Sequence, residues 1–300
     1  MPHLHHAAWG APQAVLTLTL VFTALVYLRG WFLLRSSFTK RSSVWHAVSF
    51  LAGLFLIWGA LASPIAALDH QLLTVHMLEH LLLMTMAPPL IWLAAPVGPV
   101  LHGLPRRFAE TLVSLWHAEA GKSFGRALLR PRVCWLAACA ALVGWHIPRF
   151  FALGIQSTPW HLFEHLSFLG TGLMFWWPVV QPSSGRTRQD LSMILYLFFA
   201  TLPCDILSGL LVFSDRVVYP MYFSSSHLLG FSPLVDQQCA AALMWTLVTV
   251  VYFVAAAILT IRLLEPQAFP KVELVQPDLS GADIAHSVSQ SLVSHSLEAL

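Results

Sequence analysis

Residues 237–262 read QQCAAALMWTLVTVVYFVAAAILTIR, and no charged side chain interrupts them before Arg262. An α-helix rises about 1.5 Å per residue, so about 20 apolar residues cross a hydrocarbon core of ~30 Å. Six runs upstream share this character: 14–34, 45–63, 72–95, 133–151, 160–181 and 191–213. The whole chain is 57% hydrophobic and only 10% charged, whereas soluble domains carry roughly a quarter charged residues. The sequence therefore predicts an all-α fold, a polytopic membrane helix bundle with seven transmembrane helices in a lipid bilayer. Residues 1–13 form a tail ahead of it, 14–262 the membrane domain, and 263–300 a polar tail in which Pro266, Pro270 and Pro277 interrupt any helix.

Charge sets the orientation. Of the 16 Lys and Arg residues, all except Arg149 and Arg216 fall on one side of the seven-span arrangement. Lys and Arg collect in cytoplasmic loops, which places the N-terminus outside and the C-terminus inside. The loop 96–132, with His102 and His117, reads as a solvated, positively charged inner loop. Residues 1–13 carry His3, His5 and His6 where a signal peptide would carry Lys or Arg, so the first run is expected to remain as a span. A net charge of +2, with scattered basic residues, points away from a nucleic-acid partner. Cys134, Cys139, Cys204 and Cys239 lie in or beside apolar runs and are read as reduced.

A charge at the centre of a span costs ~2.5–3.5 kcal/mol on insertion scales, so each intramembrane ionisable residue calls for an explanation. The third run contains His76-Met77-Leu78-Glu79-His80, and the fifth contains His161-Leu162-Phe163-Glu164-His165. The same H-x-x-E-H word thus occurs twice. Positions i, i+3 and i+4 share one helix face, so each word presents two imidazoles and a carboxylate together. Both helices run inward from the outside, which sets the two words at similar depth. Trp145-His146-Ile147-Pro148 at the outer end of the fourth span adds a histidine to that layer. Asp205, beside Cys204, lies in the outer half of the sixth span, and Asp236 opens the seventh.

Imidazoles with neighbouring carboxylates make a metal site the expected reading. His76, His80, His161 and His165 are the candidate ligands, His146 is a further one, and Glu79, Glu164, Asp205 and Asp236 are supporting carboxylates. Met77, Met84, Met86, Cys204 and Cys239 are close in sequence or depth, and soft donors favour copper. Zinc is an alternative, because H-x-x-E-H is also a metalloprotease word and would make the chain an intramembrane zinc protease. Haem is another, through axial histidines. Met86-Ala87-Pro88-Pro89 is expected to break or kink the third span, and Trp176-Trp177-Pro178 to anchor the inner end of the fifth at the interface.

Taken in order, His76 to His80 running into Ala87-Pro88-Pro89, Trp145-His146-Ile147-Pro148, His161 to His165 and Asp236-Gln237-Gln238 resemble the CtaG-type assembly factors of bacterial cytochrome c oxidase. The resemblance covers about residues 14–262. It implies a seven-span protein of the bacterial plasma membrane that meets oxidase subunits and handles copper for their metal centres at the outer face. It also implies a non-catalytic role.

Overall fold

A computed structural model of the protein describes residues 10–35, 40–117, 119–180, 186–223, 230 and 232–264. Every extended regular element among them is a helix: α1 (Ala11–Leu34), α2 (Lys40–Ala62), α3 (Leu73–Leu93), α4 (Val97–Gly103), α5 (Arg106–His117), α6 (Glu119–Leu128), α7 (Pro131–His146), α8 (Pro148–Gln156), α9 (Thr158–Val180), α10 (Arg186–Val212) and α11 (Pro233–Leu264). Two short 3₁₀ turns, Ala66–Leu68 and Pro220–Tyr222, complete the set. Chain contacts separate Met1–Leu264 from Glu265–Leu300. The tail histidines His3, His5, His6, His286 and His295 lie outside the described residues.

Four helical stretches among the described residues are long and apolar enough to cross a membrane: Ala11–Leu34, Val44–Leu68, Leu191–Val212 and Pro233–Leu264. The number rises to six when each of two bent pairs counts as one span, α3 with α4 (73°) and α7 with α8 (78°). The predicted fifth run falls in α9, a 23-residue helix that misses this standard. His161, Glu164 and His165 lower its apolar content.

The surface is inverted relative to a water-soluble protein. Phe22, Phe55, Leu210 and Phe253 face outward, while His76 and Glu164 are fully buried. Lipid tolerates the first group, and the second group must find partners inside the protein. Hydroxyls on the outer faces turn back to their own helices: Thr17, Thr23 and Thr246 donate to carbonyls one turn earlier, at 2.8 Å.

Four local expectations are corrected. The loop 96–132 is largely helical, holding α4, α5 and α6. The helix of the fourth run ends at His146, short of 151. Ile147 is extended (φ −67°, ψ 125°), as a residue before proline prefers to be, and Pro148 opens α8 in a new direction.

The prolines of the third run do not break it. A π-helical turn, Leu82–Met86, precedes Ala87 and carries the chain through to Leu93. Pro88 has no N–H to give the Met84 carbonyl, and the Trp176 indole donates to that oxygen instead, at 3.2 Å. Trp176 is therefore a buried partner of α3 and not an interface anchor. Gly172 permits the approach, since a Cβ there would lie 2.8 Å from the Met84 backbone.

Candidate metal centre

Helix α9 packs against α3, α7 and α8, and α11 packs against α10 and α3. This brings the two H-x-x-E-H words face to face, each glutamate opposite the other word's histidines. Glu164 Oε1 lies 3.6 Å from His76 Nε2 and 3.4 Å from His80 Nε2. Glu79 Oε2 lies 3.5 Å from His165 Nε2. The His76 and His161 rings stack across the helix interface at 5.6 Å.

Sequence reasoning missed Asp69. It sits in the turn between α2 and α3, with Oδ2 at 3.6 Å from His161 Nε2 and 3.8 Å from His70 Nε2. The Tyr222 hydroxyl donates to the Asp69 carbonyl at 2.9 Å. Burial, followed by the charge of Asp69, pushes that phenol well above its ordinary value, so it remains a donor. Two groups of donor atoms result, each within 4.8 Å: Asp69, His76, Glu79 and His161, and then His76, His80 and Glu164.

Apart from Asp69, whose Oδ1 accepts from His70 N at 2.6 Å, the buried donor atoms of this knot lack hydrogen-bond partners. Both nitrogens of His76 and His80, both carboxylate oxygens of Glu79 and Glu164, and Nε2 of His161 and His165 are buried and unpartnered. Buried polar groups in native proteins are nearly all paired, and each exception costs about 1–3 kcal/mol. The separations of 3.4–3.6 Å are long for hydrogen bonds. Around a four-coordinate ion with bonds of about 2.0–2.2 Å, neighbouring donors lie roughly 3.3–3.6 Å apart. The donor set and its spacing fit a metal ion.

The other expected residues take different places. Asp236 is buried, and it caps α3: its carboxylate accepts from Leu73 N at 2.7 Å, Thr74 N at 3.1 Å and Thr74 Oγ1 at 2.6 Å. Leu72, at the N-cap of α3, supplies no side-chain cap, so an aspartate from α11 does. Gln237 holds the turn after α10, accepting from Val218 N at 2.7 Å. Asp205 is half-buried on α10 and belongs to neither donor group. His165, which meets Glu79 alone, lies outside both groups, and so does His146. Its ring, with that of His80, lines a cavity beyond the knot.

Short-range packing holds the knot in place. Phe151 of α8 lies against His76 at 5.1 Å and Tyr219 at 4.2 Å. Gly154, one turn further on, is where Glu164 approaches, and a Cβ there would collide with Glu164 Oε2.

These features define a class: a helical membrane protein with a buried imidazole–carboxylate centre shared by two antiphase words on neighbouring helices. The chain belongs to the cytochrome c oxidase caa3 assembly factor family (Caa3_CtaG), which it matches over residues 25–265. It is 24% identical over 239 residues to the uncharacterized protein Mb0105 of Mycobacterium bovis, a match covering 76% of this chain and 35% of the relative. The uncharacterized protein MT0111 of Mycobacterium tuberculosis matches to the same extent. The chain thus spans about a third of the length of these curated relatives. No solved structure matches it.

Proposed function

We propose that this chain helps to assemble a cytochrome c oxidase by holding copper, as cargo, in the knot of His76, His80, His161 and His165 with Asp69, Glu79 and Glu164. It does so at the outer face of a bacterial plasma membrane, as a seven-span protein with its N-terminus outside. The observation that carries this reading is the set of unpartnered donors at 3.4–3.6 Å. Family membership supplies the oxidase.

His161 is the least buried donor of the knot, its side chain 14% exposed, and Asp69 and His165 follow at 10% each. They mark the side on which an ion enters and leaves. Imidazole suits copper and zinc alike, so the histidines alone leave the metal open. Glu79 and Glu164 offset the charge of the ion, which makes its burial tolerable. The role is binding and release, with no bond broken by the chain.

The test has two arms. Metal analysis of purified chain after copper loading should show an ion that is lost in a His76→Ala/His165→Ala variant. Retention of zinc through purification, with peptide cleavage lost on Glu79→Gln, would replace this reading with the protease, and a Soret band would replace it with haem. In cells, deletion of the gene should lower oxidase activity, most of all in low copper. Unchanged activity there overturns the assembly role.

A further inference from the structure

Deeper along α3, beyond His80, lies a cavity of about 30 Å³. That is room for a small ion or a water. Its soft donors are the thioethers of Met77, Met84 and Met244, the thiols of Cys139 and Cys204, and the imidazoles of His80 and His146, and the hydroxyl-bearing Thr85 and Tyr252 line it as well. All of these residues except the half-buried Cys139 are buried. The knot includes three carboxylates, whereas this cavity is lined by none.

His146 gives the cavity its meaning. Its Nδ1 lies 2.7 Å from the Leu142 carbonyl oxygen. A carbonyl only accepts, so Nδ1 carries the ring hydrogen and Nε2 holds a lone pair. That Nε2 is buried with no partner. Cys204 does not serve it, since its Sγ lies 3.8 Å from Ser208 Oγ and 3.9 Å from the Met244 carbonyl oxygen. A backbone carbonyl that fixes one ring nitrogen while the other is bare is the arrangement of a metal-ligating histidine. Core methionines ordinarily fill gaps. Here three of them line the same cavity as an imidazole with an unpaired nitrogen.

We propose that this cavity is a second metal site, selective for soft monovalent Cu(I), which the Nε2 of His146 holds together with sulfur from Met84, Met244 and Cys204. Thioether, thiol and neutral imidazole suit Cu(I), and the absence of a lining carboxylate disfavours harder divalent ions. His80 borders both the knot and the cavity. An ion held as Cu(I) passes between them by ligand exchange at His80, with no change of oxidation state. The inference deepens the copper reading of the knot and rests on it.

The test uses the full chain in detergent, loaded anaerobically with Cu(I) and, separately, with Ag(I). X-ray absorption reports sulfur in the coordination shell, and competition with a chromogenic Cu(I) chelator counts tightly held equivalents. The wild type should show metal–sulfur scattering. His146→Ala/Met84→Leu should lose that scattering and one equivalent, while Asp69→Asn/His161→Ala keeps both the scattering and that equivalent. Met84→Leu alone conserves volume and guards against misfolding; it should weaken the sulfur signal without unfolding the chain. Wild-type protein with nitrogen and oxygen scattering only overturns the second site, as does a sulfur signal undiminished in both cavity variants. If the knot variant loses nothing while the cavity variants behave as stated, the knot reading fails and the sulfur site stands.

Discussion

Helix α3 treats its polar groups in opposite ways at its two ends. Around the π-turn and the prolines, polar groups find partners. Trp176 donates to the Met84 carbonyl, Ser49 to the Leu90 carbonyl at 2.6 Å, and the Trp92 indole to the Leu173 carbonyl at 2.8 Å. Two turns earlier, His76, Glu79 and His80 are more deeply buried and yet have no hydrogen-bond partners. One helix therefore pairs its polar atoms around its prolines and leaves them bare at its histidines. A fold able to satisfy a proline-orphaned carbonyl is able to satisfy a histidine. The bare atoms are where the proposed metal role lies.

That contrast can be broken. Removing donors from both groups, as in His76→Ala/His161→Ala, should abolish metal binding at the knot and leave only the sulfur-bound equivalent while the chain still folds, read by metal analysis alongside thermal unfolding in detergent. An undiminished number of bound ions in that variant would mean that the knot is only packing. Gly154→Ala should displace Glu164 and weaken metal affinity by about 10–100-fold, the usual cost of disturbing the groups that support a metal site. Unchanged affinity would show that Glu164 has slack.

The other end of α3 should respond in stability and not in metal. Trp176→Phe leaves the Met84 carbonyl unanswered and should cost about 1–3 kcal/mol of unfolding free energy, with copper binding kept. A parallel loss of metal would show that the two ends are coupled. Asp236→Asn should cost about 0.5–2 kcal/mol, the range for losing a helix cap, because the amide replaces a charged acceptor for Leu73 and Thr74. Tyr222→Phe removes one hydrogen bond to the Asp69 carbonyl and should cost only about 0.5–1.5 kcal/mol.

Much of the candidate cluster was legible because its signal is local. Two copies of H-x-x-E-H place their own donors on one face of a helix wherever the helix lies. Asp69 was missed because it stands in a connecting turn, where an aspartate is unremarkable. Its signal was position: Asp69-His70 precedes His76 by one short turn of chain, on the side where the words lie. The roles of His146 and Asp236 could not be read from spacing. Both depend on contacts across long separations, such as Asp236 to Leu73. The helices within 96–132 had a readable cue in Phe108, Leu112 and Leu115, an i, i+4, i+7 pattern that an inner-loop reading passed over.

By itself the sequence determined that this is an apolar helical protein with two imidazole–carboxylate edges, and to which family those edges point. Composition and helical period are properties of short stretches, so no tertiary information was needed. Only the tertiary structure decided that each glutamate faces the other word's histidines, that Asp69 joins them, and that His146 turns instead to a sulfur-lined cavity. Those outcomes depend on how α3, α7 and α9 are rotated against one another. Packing at Gly154 and Gly172 and the cap from Asp236 help to set that rotation, and no single segment encodes it.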